Sequence, residues 1–260
     1  MAVITLVSPG GSPGVTTAAL ALALTWPRDV IMAECDPAGG TVLAGIWRGQ
    51  APGGAGLLRF ALAAQRDVRA AAAGILLEAL PLEETRSIRY VLPAPAGPLP
   101  ARQLVAAWPA VAASFAAASA DVIADVGRFD AAAELAPLLA GAARVLMVCR
   151  PTIRQAAAAK PRLDALTRIR AAQPPAELLI IGGGPYGMNG PKAFTEALGI
   201  PVLAVLPSDP AAAAVLSDGA RPGRGFSRSA LLGAAAAVAA GLARATAGQP
   251  AQGSPAGARS

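Results

Sequence analysis

The chain has no histidine, only two lysines among its 22 basic residues, two cysteines and an aromatic content of 4%. Without histidine, imidazole acid–base catalysis and imidazole metal ligation are excluded. Cys35 and Cys149 are far apart and show none of the spacings of a thiolate metal site. They read as reduced, buried thiols near strand ends in a cytoplasmic protein. The N-terminus carries neither a basic n-region nor a cleavage-site pattern, so export is not expected. Long apolar runs are wanting too. A long uncharged stretch, Gln103 to Ala120, is mostly alanine, holds Ser114 and Ser119 and is interrupted by Pro109, which predicts a core-facing helix rather than a membrane span.

What is present suits a packed α/β protein. At 260 residues and 54% hydrophobic content the chain has ample material for one α/β domain or two small ones. The net charge of +6 is carried by arginine. A basic balance suits nucleic acid or an anionic membrane as partner, and arginine enrichment on an ordinary solvated surface explains it equally well.

Short β-branched runs alternate with alanine-rich stretches along residues 1–245, the pattern of parallel βα units. Strands are predicted at Val30 to Ala33, Ser87 to Leu92, Asp121 to Val126, Ala143 to Cys149, Leu178 to Ile181 and Ile200 to Leu206. Helices are predicted at Thr16 to Trp26, Gly53 to Leu80, Ala101 to Ser119, Thr152 to Ala172, Ala211 to Leu216 and Ser229 to Ala245. Pro161 should kink or break the fourth of these. The expected fold is a single doubly wound domain, with its site at the carboxyl ends of the strands. Residues 246–260 form a polar Gly/Pro/Ser-rich tail, expected to be disordered.

The most informative stretch is the first. Ala2 to Ser8 is an apolar strand, Pro9 to Gly14 a turn, and an Ala/Leu helix follows. Laid on the phosphate-binding pattern G-x-x-x-x-G-K-S/T, Gly14 and Thr16 match while the lysine position is Val15. Thr16 would offer its hydroxyl to magnesium. Pro13 removes one N–H from the cradle, and loss of a charged hydrogen bond weakens binding by about 1.5–3 kcal/mol.

The loop Gly10-Gly11-Ser12-Pro13-Gly14-Val15-Thr16-Thr17 resembles the K-G-G-x-G-K-T-T loop of the ParA/MinD family of P-loop ATPases, with Gly10 and Val15 at the two lysine positions. Val30 to Pro37 resembles that family's second strand and acidic switch, Asp121 to Asp125 its Walker B strand, and Val202 to Asp209 its late strand ending in P-x-D. The resemblance implies a nucleotide site formed by Gly10, Gly11, Ser12, Gly14, Val15, Thr16 and Thr17, with Pro207 and Asp209 near the base. It implies magnesium at Thr16, Asp36 and Asp125, and Asp36 as the catalytic residue if hydrolysis survives. ATP or ADP with Mg2+ is the expected cofactor, weakened or lost with the lysines.

The resemblance also implies a positioning, assembly or regulatory role, and within the family the TadZ/CpaE-like branch of Tad-type pili is the nearest suggestion. Its partners would be proteins of a cell-pole, pilus or secretion assembly, with recruitment to the membrane through them and a possible homodimer. Two alternatives stand beside it. One is a weak ATPase in which Arg150 or Arg128 replaces the lysine. The other is a partition protein holding DNA through the arginine-rich helix 152–172 together with Arg221, Arg224 and Arg228. For Asp36, Glu34 and Asp125, ordinary strand-end carboxylates are the competing reading. The basic helix face is equally read as simply solvated.

Overall fold

Apolar β-branched runs become strands, and the alanine-rich stretches between them become covering helices. A computed structural model describes residues 1–49, 56–83, 87–130, 133–184 and 190–247. The strands are β1 Val3–Ser8, β2 Val30–Glu34, β3 Leu80–Pro81, β4 Arg89–Leu92, β5 Asp121–Arg128, β6 Arg144–Cys149, β7 Glu177–Ile181 and β8 Val202–Leu206. They form one sheet in the order β3-β4-β2-β5-β1-β6-β7-β8. Every pairing is parallel except β3 with β4.

The helices cover both faces. In chain order they are α1 Val15–Thr25, α2 Val42–Gly45, α3 Leu57–Arg66, α4 Val68–Ala73, α5 Pro98–Ala101, α6 Trp108–Ala117, α7 Ala136–Ala140, α8 Ile153–Ile169, α9 Gly190–Leu198, α10 Pro210–Ser217 and α11 Ala230–Thr246. The period-two alternation of β1 divides the core. Val3 and Val7 face a layer containing Phe60, Trp108, Phe115, Leu163 and Phe194. Ile4 and Leu6 face α1, α10 and α11. Because α1 is apolar all round, it is buried on nearly every side, packed against α11 and α10 as well as the sheet. No described helix is long and apolar enough to cross a membrane.

Several boundaries differ from the sequence reading, each for a local reason. The expected helix Gly53 to Leu80 begins among undescribed residues and is divided at Asp67, whose carboxylate caps α4 by accepting from Arg69 N and Ala70 N at 2.9 and 3.0 Å. Its end becomes β3, an antiparallel pair too short to show a period. The Gln103 to Ala120 stretch is a 3-10 turn (Arg102–Ala107) followed by α6. Pro109 does not break it, because it lies in the first turn of α6, where a missing N–H costs nothing. Pro161 does not break α8 either. Pro161 and Ala157 are exposed, so water can satisfy the carbonyl left free, while Ala159, Leu163 and Leu166 stay buried across the proline. The helices α7 and α9 were not anticipated, and the tail from 248 lies outside the described residues.

The amino ends of the central strands are fastened by one carboxylate. Asp121, fully buried at the start of β5, accepts from Ala2 N (2.8 Å), from Trp26 Nε1 (2.8 Å) and from Arg28 Nε. Arg28 continues to Ala243 O and Thr246 Oγ1 of α11. Asp121 and Arg28 together thus tie the start of β5 to the residues flanking β1 and α1 and to α11. Asp121→Ala leaves three donors without their acceptor, and we expect a loss of about 3 kcal/mol in urea-induced unfolding; an unchanged midpoint would refute this role.

Candidate functional site

Between β1 and α1 the backbone takes positive φ at Gly10 (132°), Gly11 (69°), Ser12 (46°) and Gly14 (110°). Only glycine adopts such angles freely, which is why the loop is glycine-rich. Successive residues of this kind turn their N–H groups into one concavity suited to an anion. The first turn of α1 adds donors that have no intrahelical partner, and neither a capping side chain nor an acidic residue satisfies them. Val15 itself is buried in the second core, so an aliphatic packing contact occupies the position of a lysine.

The loop rests on a strut from α8. Gln155, buried, donates from Nε2 to Gly10 O at 2.8 Å. A Cβ on Gly11 would lie 3.0 Å from the same nitrogen. Gln155 stands 145 residues from its partner, and nothing in the local pattern of the sequence signals the contact.

Facing the loop are three carboxylates at the ends of β2 and β5. The parallel register sets Glu34 beside Asp125. Glu34 accepts from Thr41 N and Val42 N through Oε1 (2.8 and 3.0 Å) and from Ala94 N through Oε2 (3.1 Å). It therefore staples the segment after β2. Burial nevertheless pushes its carboxyl above the usual range, against the pull of those three N–H groups. Asp125 accepts from Gly127 N at 2.9 Å; burial pushes it up to about 7, with the Gly127 N–H and the neighbouring Thr16 side chain opposing. Asp36 accepts from Ala38 N at 2.8 Å and is raised by burial, with Ala38 N–H and the Arg128 charge opposing. Its Oδ2 occupies the place where a Cβ on Gly127 would be, 1.9 Å away, so Gly127, at φ 66°, is required there.

These elements enclose a cleft of about 590 Å³ lined by Ser8, Ser12, Gly14, Val15, Thr16, Thr17, Asp36, Pro37, Ala38, Gly127, Arg128 and Asp130. The structure thus brings Ser12, Gly14, Val15, Thr16, Thr17 and Asp36 together, with Gly10 and Gly11 in the loop behind and Asp125 buried beneath Thr16. Pro207 and Asp209 do not line the cleft. They follow β8 at the sheet edge, where Asp209 caps α10 by accepting from Ala212 N at 3.1 Å. The loop Gly182 to Gly184 follows β7, and the neighbouring Pro185 is outside the described residues.

The donor set fits magnesium only in company. Among the described residues no group of three or more His, Cys, Asp or Glu is placed to hold a metal. A hydroxyl and a carboxylate side by side, Thr16 and Asp125, suit Mg2+, which takes one or two protein ligands and fills its octahedron with water and phosphate oxygens. Both cysteines are free and buried, with burial pushing Cys149 up to about 12.

The basic surface expected from the sequence is divided. α8 packs on one face of the sheet, whereas the loop holding Arg221, Arg224 and Arg228 belongs to the other, with Phe226 packed there. Arg170 is buried, donating to the Leu139, Ala142 and Pro174 carbonyls, and Arg162 donates to Phe129 O. Helix periodicity showed which residues share a helix face but not which sheet face each helix covers.

The buried Asp125 makes stability pH-dependent. An ordinary aspartate titrates at 3.8 and this one at about 7. Between those values the folded state holds a proton that the unfolded chain has released, so the contribution is full below 3.8 and lost as pH rises through 7. We expect Asp125→Asn to unfold at higher urea than the parent at pH 8, by about 2–4 kcal/mol, with the gap closing near pH 4. A gap independent of pH would contradict this.

No protein-family model matches the chain, and no curated protein matches it in sequence. Solved structures do. The cell-division ATPase MinD of Pyrococcus furiosus matches with a TM-score of 0.71 at 18% identity, covering 94% of this chain and 99% of that one. A ParA family ATPase of Chlorobium tepidum matches at 0.70 and 16%, covering 92% and 98%. MinD of Pyrococcus horikoshii in complex with Mg-ADP matches at 0.69 and 17%, covering 95% and 97%. The chain has the fold of the ParA/MinD P-loop ATPases.

Proposed function

We propose that this chain is a divergent ParA/MinD-type protein that binds a magnesium nucleotide on residues 10–17 and acts as a positioning, assembly or regulatory subunit rather than an efficient ATPase. The observation that carries the reading is the placement of the Thr16 side chain next to the buried Asp125 carboxylate at the foot of the positive-φ loop. Those two residues hold the pairing that magnesium needs, and the loop N–H groups suit phosphate oxygens. When bound, Mg2+ would neutralise phosphate charge between them. The chain's own residues do the rest. Thr16 orients Asp125, Glu34 holds the segment 36–42 against the cleft, and Asp36 points over Gly127 where an attacking water would approach.

Two features argue against fast turnover. The lysine that would follow developing charge on the phosphates is an aliphatic side chain in the core, and charge stabilisation is most of phosphoryl-transfer catalysis. Pro13 also removes a donor from the cradle. Such a protein can still register nucleotide as a state and present a different surface to protein partners. Service in a Tad-type pilus or secretion machine belongs to this reading, and a gene for a pilus motor beside it would support that.

Calorimetric titration tests the binding. Mg-ATP and Mg-ADP should bind the parent with micromolar to millimolar affinity. They should fail to bind Gly14→Trp, because Gly14 lines the cleft with open space around it. Phosphate release should stay close to that of Thr16→Ala. No heat at millimolar nucleotide would remove nucleotide from the account and leave a scaffold.

A further inference from the structure

The cleft lacks balance in charge. Asp36 and Asp130 line it, and Glu34 and Asp125 lie buried beneath it. Arg128 is the only cation among the described lining residues. A polyphosphate brings further negative charge, so the loop's N–H dipoles and one divalent ion would face four carboxylates and the ligand together. A second cation is needed, and the loop has an aliphatic residue where one is usual.

We propose that Arg128 supplies, from the end of β5, the phosphate-binding cation that the loop lacks at Val15. This rests on the nucleotide reading of the same cleft. Three observations place Arg128 for the task. It is the last residue of β5, paired in register with Ser8, the last residue of β1, so its backbone stands beside the start of the loop. Its Nε lies 4.0 Å from where a Cβ on Gly10 would be, so the guanidinium reaches across the loop's mouth. Its side chain is exposed, apart from the packed core, and turned toward the cleft.

The replacement at position 10 is thereby connected with the one at position 15. With no side chain at Gly10, the space above the loop is open to the guanidinium. A long side chain there would compete with Arg128 for it. The planar fork of arginine presents two N–H groups to phosphate oxygens in a fixed bidentate geometry, whereas a lysine ammonium acts as a point charge. Arg150 is not an equivalent alternative. It follows β6, on the other side of β1, and does not line the cleft.

In the free protein the charge of Arg128 acts on the Asp36 carboxylate across the cleft, and ligand phosphate would give the guanidinium a direct partner. The arrangement makes Arg128 a group that binds ligand, and its removal should leave the fold unaffected.

The test compares the parent, Arg128→Gln and Arg128→Lys by calorimetric titration with Mg-ATP and Mg-ADP, alongside thermal unfolding without nucleotide. Arg128→Gln should weaken both nucleotides by about tenfold or more, the value of one lost charged hydrogen bond. Arg128→Lys should recover part of that loss by restoring the charge without the fork, and the unfolding midpoints of all three should agree. Equal affinity of the parent and Arg128→Gln would overturn the proposal while leaving nucleotide binding intact. A parent that binds neither nucleotide would overturn both. Weakening accompanied by a lowered midpoint in Arg128→Gln, without recovery in Arg128→Lys, would make Arg128 a structural residue and also refute it.

Discussion

Three carboxylates, Glu34, Asp36 and Asp125, are drawn together at the carboxyl ends of β2 and β5, and the rest of the cleft is arranged around holding them there. The parallel register puts Glu34 against Asp125, and two residues of chain bring Asp36 over Gly127. Burial opposes their charge in every case. What compensates is local and different for each. Glu34 has three backbone donors, Asp125 has the Gly127 N–H and the Thr16 side chain, and Asp36 has Ala38 N–H and the charge of Arg128. The absence of side chains at Gly40 and Gly127 follows from the same crowding: a Cβ at Gly40 would lie 2.5 Å from Glu34 Oε2. A site of this kind stores a demand for cations, which is what a magnesium polyphosphate site requires.

The two ends of β5 do different work with the same residue type. At its start Asp121 is saturated by three donors from the residues flanking β1 and α1, one of which, Arg28, reaches on to α11. At its end Asp125 has fewer partners and a raised pKa. The first is satisfied and structural, while the second remains open to a ligand. Residue type alone does not separate them, since both are buried aspartates in one eight-residue strand. The count of hydrogen-bond donors does.

Much of this was legible in the sequence because it is written locally. The strand-loop-helix at residues 2–17 follows from period and composition, and the strand-end carboxylates Glu34, Asp36 and Asp125 from the resemblance to the ParA/MinD motifs. The alternation that yields a parallel sheet follows from period as well. What was not legible depends on distance along the chain. Gln155 beneath Gly10 and the clamp on Asp121 are contacts across 93 to 145 residues. The separation of α8 from Arg221, Arg224 and Arg228 depends on which sheet face each helix covers. The unbroken α8 shows a subtler failure: Pro161 removes one hydrogen bond, but burial on either side of it outweighs that local loss.

The central claim is that backbone N–H groups of the glycine loop, without a loop lysine, bind phosphate. Its most direct measurement is the amide nitrogen–proton spectrum of 15N-labelled protein titrated with Mg-ADP. The account predicts that the resonances of Gly11, Ser12, Gly14, Val15, Thr16 and Thr17 shift progressively and saturably, with the largest changes confined to these residues and to Gly127. Shifts centred elsewhere on the sheet, or no shifts at millimolar Mg-ADP, would contradict it and return the cleft to a role without nucleotide.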